Sequence, residues 1–233
     1  YFGQSPIIVR SSSLLEDAYG NAFSGKYESV FCANQGSPEE RLENFVTAVR
    51  TVYTSTLSRD ALSYRAHWGL LDRDEQMALL VQRVSGSFYE DLYFPQLAGV
   101  GFSFNPYVWH QALDPRDGML RLVFGLGTRA VERADDDYTR VVALNAPLKK
   151  PESKYGDIRK FAQRNVDILD LQENRHATRY FEKVALKARN MPIEIFASRD
   201  QAAEQRGKER GLTNVFSWVL TFDELLSNTA FVR

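Results

Sequence analysis

The chain has 233 residues, 44% hydrophobic and 25% charged, a balance that supplies ample apolar side chains for a packed core. Its formal net charge of -1 gives no global basic field, which argues against nucleic acid or a membrane surface as partner. The single cysteine, Cys32, excludes a disulfide within the chain and a cysteine-clustered metal site, and suits a reducing cytoplasm. No apolar run approaches the ~20 residues needed to cross a bilayer.

The chain opens with Tyr1-Phe2-Gly3 rather than a methionine, which reads as a piece of something larger. Residues 7–10 form an apolar β-branched run, a first strand, that ends in Arg10-Ser11-Ser12-Ser13. About a dozen residues on stands the small-residue turn Ser24-Gly25-Lys26. An arginine fork, hydroxyls, Gly-loop N–H groups and a lysine together suit a polyphosphate; a strand end with a solvated arginine and a Ser-rich turn is the plainer reading. Tyr27 to Ala33 alternates as a second strand. Ser37-Pro38-Glu39-Glu40 starts a helix with an N-cap, a first-turn proline and acids at the positive dipole end. Apolar residues at 42, 45, 46, 49, 52, 53 and 57 follow at helical spacing. A second helix covers Ala61 to His67, and Gly69 ends it.

Met77 to Val84 is almost continuously apolar apart from Gln82, and predicts a central strand buried on both faces. Ser85 to Pro95 reads as a loop or ragged hairpin. Ala98 to Pro106 is a strand whose Gly99 and Gly101 suggest close approach of backbone or ligand. Leu120 to Phe124 leads into Gly125-Leu126-Gly127, and Tyr138 to Leu144 is a further strand. After a surface connector at 149–154 come a strand at Val166–Leu169 and an amphipathic helix over Arg175–Ala188. A short strand at Ile193–Phe196 and a solvated helix over Gln201–Arg210 follow. The last helix opens at Thr221 as N-cap, with Glu224 in the capping-box position.

Several motifs fail their context. Gly20 to Lys26 fits G-x-x-x-x-G-K, yet Tyr27 stands where a magnesium-holding Ser or Thr belongs, and a strand rather than a helix follows. The glycine pairs at 99/101 and 125/127 lack the G-x-G-x-x-G spacing of a dinucleotide loop. His67, His110 and His176 are too isolated for a zinc site, and no G-x-S-x-G elbow is present. Asp135-Asp136-Asp137 could bind a cation, with a solvated turn as the plainer reading.

Taken in order, six segments resemble one family, the N-terminal nucleotide-binding region of phosphoenolpyruvate synthase and pyruvate, phosphate dikinase, which the rifampicin phosphotransferases share. Ile8-Val9-Arg10-Ser11-Ser12 resembles its "VRSS" strand end, and Ala22 to Ser29 its "SFAGQYES" loop. Ala61-Leu62-Ser63-Tyr64-Arg65 is similar to "A-x-x-Y-R", and Leu80-Val81-Gln82-Arg83-Val84 to "VVQRMV". Ala98 to Pro106 is similar to "SGVAFTRDP", and Phe124-Gly125-Leu126-Gly127 to "WGLGE". The series covers residues 5 to about 145.

The resemblance implies an α+β, ATP-grasp-like fold. Two subdomains of mixed sheet plus helices, changing over near 85–100, would hold ATP, and 150–233 would be a diverged tail of the same, truncated domain. It implies that Arg10 contacts the transferred phosphate, that Ser11, Ser24, Gly25 and Lys26 serve the phosphates, and that Gln82 lies at the purine edge. The implied work is binding of ATP with Mg2+ for phosphoryl transfer to a histidine on another domain, with phosphohistidine and pyruvate/PEP-binding domains as partners in a cytoplasmic parent protein. The family's Gly-Gly-Lys segment, its acid strand and its "Q-x-R-P" strand find no counterpart. The metal ligands are therefore expected outside this chain, and ATP binding is expected to be weak. Departures at Lys26, Phe104, Asn105, Arg121 and Thr128 motivate an alternative: a diverged, non-catalytic ATP-grasp-like binding or regulatory module.

Overall fold

The computed structural model of the protein describes residues 2–16, 25–131, 137–152, 155–211, 217–228 and 230. In chain order its elements begin with strands β1 (Ile7–Ser13) and β2 (Ser29–Cys32) and helices α1 (Pro38–Ser55) and α2 (Arg59–His67). Strands β3 (Met77–Arg83), β4 (Ser87–Tyr89), β5 (Leu92–Phe94), β6 (Ala98–Phe102) and β7 (Met119–Val123) follow. Next come helix α3 (Thr128–Val131), strand β8 (Arg140–Ala143), helix α4 (Tyr155–Lys160) and strands β9 (Asn165–Asp170) and β10 (Arg175–Tyr180). Helix α5 (Phe181–Lys187), strand β11 (Ala197–Arg199), helix α6 (Gln201–Glu209), strand β12 (Trp218–Leu220) and helix α7 (Asp223–Ser227) complete the series. The class is α+β. Small antiparallel sheets stand where mixed sheets were expected: the pairs β1–β2, β1–β3, β5–β9, β6–β7, β7–β8 and β11–β12 are all antiparallel. The chain divides into two compact units, one taking residues up to Tyr93 plus Leu169–Ala177, the other Phe94–Ile168 and the chain from Thr178 on. Among the described residues no helix is long and apolar enough to cross a membrane.

In the first unit, β1 is the middle strand of a three-stranded sheet ordered β2-β1-β3. One face is sealed by α1: Ile7, Val9 and Cys32 pack with Ala48 and Val52, and Met77, Leu79 and Val81 of β3 close over the same cluster. The start of α1 is fixed as its sequence predicts. Ser37 Oγ accepts from Glu40 N at 3.2 Å, and Glu40 Oε2 accepts from Ser37 N at 2.8 Å. The predicted apolar stripe is wider than the part that is covered. Leu42, in the first turns of α1, is 62% exposed, because a sheet whose outer strand β2 has only 4 residues covers little more than the middle of an 18-residue helix, and Leu57 lies beyond the helix end at Ser55 and is 70% exposed.

The prediction of β3 as a central strand buried on both faces is overturned. β3 lies at the sheet edge, and its exposure alternates: Met77, Leu79 and Val81 are half-buried, while Ala78, Leu80 and Gln82 are exposed. Helix α2 packs through Ala61, which is fully buried with Leu15, Tyr27 and Leu70. It closes at Gly69, whose φ of +64° is open to glycine without strain.

Burial in this first core pushes the Cys32 thiol up to about 11. A thiol raised in the folded state leaves stability intact below its ordinary value near 9 and withdraws it as pH rises from there through about 11. Native Cys32 is therefore expected to resist a thiol-reactive disulfide reagent at pH 8 and to react fully in denaturant; rapid native labelling would contradict its place in the core.

In the second unit, β6, β7 and β8 form a sheet in that order. Gly99 is required by backbone rather than ligand: a Cβ there would sit 2.5 Å from the Arg121 carbonyl oxygen on β7. Phe124, fully buried, is the hub of an aromatic core, with ring centroids of Phe94, Phe181 and Phe196 at 5.5, 5.2 and 5.6 Å. Three predicted elements change. Arg175–Ala188 is not one helix: β10 runs beside β9 to Tyr180, and only Phe181–Lys187 is helical. Ile193–Ile195 is a 3-10 turn set by the preceding Pro192, with the strand beginning at Ala197. Thr221 does not cap α7. Its Oγ1 pairs with Ser198 Oγ at 2.8 Å, and Phe222, in left-handed conformation at φ 56°, opens the helix instead.

Candidate functional site

The strand period places the predicted site residues. Along β1, Ile7, Val9 and Ser13 turn into the core, while Ile8, Arg10 and Ser12 occupy the opposite face. The antiparallel register sets Ile8 against Gln82, Arg10 against Leu80 and Ser12 against Ala78. Arg10 and Gln82 therefore share one face of the sheet, diagonal neighbours roughly 7 Å apart at their Cβ atoms. Both are exposed, and neither side chain makes a hydrogen bond or ion pair with the described residues. On the β2 side Ser29 lies opposite Arg10 and Phe31 opposite Ile8, giving a row Phe31–Ile8–Gln82 across the three strands. The His176 ring stacks on Phe31 at 5.7 Å and 24°. The result is a ring, an aliphatic floor, an amide and a guanidinium on a single face. Phe31 and His176 escaped the sequence reading, although the alternation that places Arg10 also places Phe31 once the register is known.

Ser11 is separated from Arg10 by the pleat. Its Oγ donates to Glu16 Oε1 at 3.0 Å, and Glu16 N donates to Ser13 Oγ at 3.0 Å, so these hydroxyls close the bend after β1. Ser24 lies outside the described residues, as does all of 17–24, which includes Gly20 of the G-x-x-x-x-G-K match. Gly25 is exposed at φ +77°. Lys26 is half-buried, with Nζ 5.7 Å from the Tyr64 ring centroid on α2. Tyr27 is buried, and its hydroxyl donates to Glu75. Burial first, and then the Glu75 carboxylate, hold its phenol well above the ordinary tyrosine range. The residue at the magnesium-ligand position of a P-loop is thus a core side chain, and strand β2 follows. The A-x-x-Y-R segment also acts structurally. Ala61 is packed, Tyr64 lies under Lys26, and buried Arg65 donates to the carbonyls of Leu70, Leu71 and Arg73.

The corresponding segments of the second unit are built as scaffold. Arg121 stands 5.1 Å from the Phe102 ring centroid, and fully buried Asn105 accepts from Tyr107 N at 3.0 Å. Gly125 has φ +92°, and a Cβ there would meet Val166 Cγ1 at 2.5 Å and the Asp167 carbonyl oxygen at 2.7 Å. Leu126 N donates to that carbonyl at 2.9 Å. Thr128 Oγ1 donates to Asp167 Oδ2 at 2.6 Å, Arg129 Nε to Asp167 Oδ1 at 3.1 Å, and Thr178 Oγ1 to Asp167 Oδ1 at 2.6 Å. Gly125→Ala is expected to cost about 3 kcal/mol, since it adds both a left-handed alanine and a backbone clash. Urea unfolding measures it, and a loss under about 1 kcal/mol would show that the turn relaxes.

Among the described residues no group of three His, Cys, Asp or Glu side chains gathers as a metal site. No curated protein matches the chain closely enough to count as a relative. The family model of the pyruvate phosphate dikinase AMP/ATP-binding domain matches residues 1–195 of the 233, and the chain therefore belongs to that family of nucleotide-binding domains.

Proposed function

We propose that the chain is the nucleotide-binding portion of a phosphoenolpyruvate synthase/pyruvate, phosphate dikinase-like phosphotransferase, and that it binds ATP for phosphoryl transfer to a histidine on another domain. The observation that carries this reading is the pairing of Arg10 and Gln82 on one open face of a sheet whose other face is sealed by α1. Their donors and acceptors are uncommitted among the described residues, and their chemistry divides as a nucleotide does. The Arg10 fork meets phosphate oxygens and neutralises charge developing on the transferred group. The Gln82 amide meets a purine edge, with Ile8 and Phe31 beneath the ring. Gly25 and Lys26, with Ser24, approach the phosphates, Lys26 as a point charge held near Tyr64. A magnesium ion accompanying ATP would ride on its phosphates.

The test is a titration of ATP with magnesium, read by backbone amide resonances. Binding in this reading shifts Arg10, Gly25, Lys26 and Gln82 together. Shifts absent from β1 and β3 at saturating ATP would refute it.

A second reading, a diverged module that binds nucleotide without chemistry, is favoured by the commitments of Thr128, Asn105 and Arg121 to internal contacts. The two part on turnover: ATP-dependent labelling of a histidine in the parent protein, lost with Arg10→Ala, belongs only to the phosphotransferase.

A further inference from the structure

The second unit contains a cavity of about 400 Å³ that none of the residues discussed above as nucleotide contacts touches. It is walled by the end of α4 and residues 162–164, by the β10–α5 junction and by the start of β12. Ser217, Trp218 and Val219 lie outside the 1–195 span of the family match, so the matched region alone does not build it.

The walls are cationic and aromatic. Arg159, Lys160 and Arg164 line it against a single carboxylate, Glu182, which accepts from Ser217 Oγ at 3.1 Å. Arg159 is placed from behind: its Nε lies 3.0 Å from Oδ2 of Asp200, a carboxylate with no exposed side-chain surface, while the arginine side chain itself is 50% exposed. A fully buried carboxylate thereby fixes a guanidinium at the rim. Lys160 is exposed, with Nζ 5.0 Å from the Phe161 ring centroid. Tyr180, 62% exposed, and Trp218, half-buried, are aromatic lining residues that solvent reaches.

An inorganic anion would use the cations but leave most of this volume empty, and a neutral apolar ligand would make no use of the cationic side of the lining. A ligand that joins an anionic group to a planar ring uses both. The geometry points to a second small-molecule site here, for a phosphorylated ring compound of the size of a nucleoside monophosphate. It does not depend on the nucleotide reading of the β1–β3 face.

The chain's tryptophans are Trp68, Trp109 and Trp218, so indole N–H resonances of the full chain read the site directly once Trp218→Phe has assigned them. AMP, adenosine and inorganic phosphate are titrated separately. AMP is expected to move the Trp218 indole saturably with a Kd below about 1 mM, at least roughly tenfold tighter than adenosine or phosphate. Lys160→Glu weakens that response about tenfold or more, and Lys160→Gln serves if the reversal of charge disturbs folding. Arg10→Ala leaves the Trp218 titration unchanged even if it abolishes ATP binding at β1. The proposal is overturned if AMP leaves Trp218 unmoved at about 10 mM. It is also overturned if phosphate alone matches AMP, or if the response is lost in Arg10→Ala and kept in both Lys160 variants.

Discussion

Arg10→Ala is expected to lower the affinity for ATP by about 10- to 100-fold and to leave thermal stability almost unchanged. The magnitude follows from the bonds lost: charge-assisted hydrogen bonds contribute roughly 1.5–3 kcal/mol, and a guanidinium offers a phosphate two in parallel. The indifference of stability follows from the fold. The Arg10 side chain is exposed and makes no hydrogen bond or ion pair among the described residues, and the core-facing neighbours Val9 and Ser13 hold the strand without it. The neighbouring substitutions rank below it for physical reasons. Gln82→Ala removes neutral bonds worth about 1 kcal/mol and should cost less than tenfold, mostly in discrimination between adenine and guanine. Lys26→Ala removes a point charge that is already shared with Tyr64. Ser11→Ala acts on the bend through Glu16 and not on ATP. Calorimetry or amide titration on the four variants gives the order. If Lys26→Ala abolished binding and Arg10→Ala barely mattered, the phosphates would be held by the glycine loop, as in a P-loop, and the sheet-face site would be wrong.

Part of the sheet that carries these residues is legible in the sequence. The strands that carry Arg10 and Gln82 follow from their apolar runs, which are local information, whereas the roles expected of the two residues come from the family resemblance. Strand partners are not local. Reading Met77–Val84 as central came from its apolar density, yet the run is apolar because Met77, Leu79 and Val81 serve one core; Ala78 and Leu80 remain exposed. Ser11 was grouped with Arg10 by adjacency, although the pleat sends consecutive residues to opposite faces. The helix at Arg175–Ala188 failed where a strand and a short helix abut, since seven helical residues after Tyr180 lend their period to the six before. Thr221-x-x-Glu224 carried the spacing of a capping box, but a hydroxyl partner on Ser198 took the threonine away. The acidic and threonine cluster around Gly125 was invisible because Thr128, Asp137, Asp167 and Thr178 come from four separate stretches of chain.

Asp167→Ala is expected to destabilise the protein by about 3 kcal/mol or more, lowering its melting temperature by roughly 6–12 °C. Its carboxylate is 7% exposed and receives Thr128 Oγ1, Thr178 Oγ1 and Arg129 Nε, while its own backbone carbonyl receives Leu126 N. Removing the side chain strands two hydroxyls and a guanidinium that is itself only 14% exposed. The cost is therefore set less by the bonds lost than by the charge left buried behind them. Asp137, 3.6 Å from Arg129 Nη1, keeps that charge from being wholly uncompensated and caps the loss. Asp167→Asn retains an acceptor and the shape, and should cost about half as much; Thr178→Val removes one hydroxyl and should cost about 1 kcal/mol. A double-mutant cycle on Asp167 and Arg129 should return a coupling of at least about 1 kcal/mol, because the two share one buried network. Additive losses would mean that the ion pair contributes little and that the threonines alone hold the Gly125 turn. The same cycle bears on function, since Thr128 stands where the family carries an acid. If the turn depends on Thr128 and Asp167 for its shape, that position has passed from ligand chemistry to scaffold, and restoring the acid with Thr128→Glu should destabilise the unit by setting two carboxylates against each other rather than strengthen nucleotide binding.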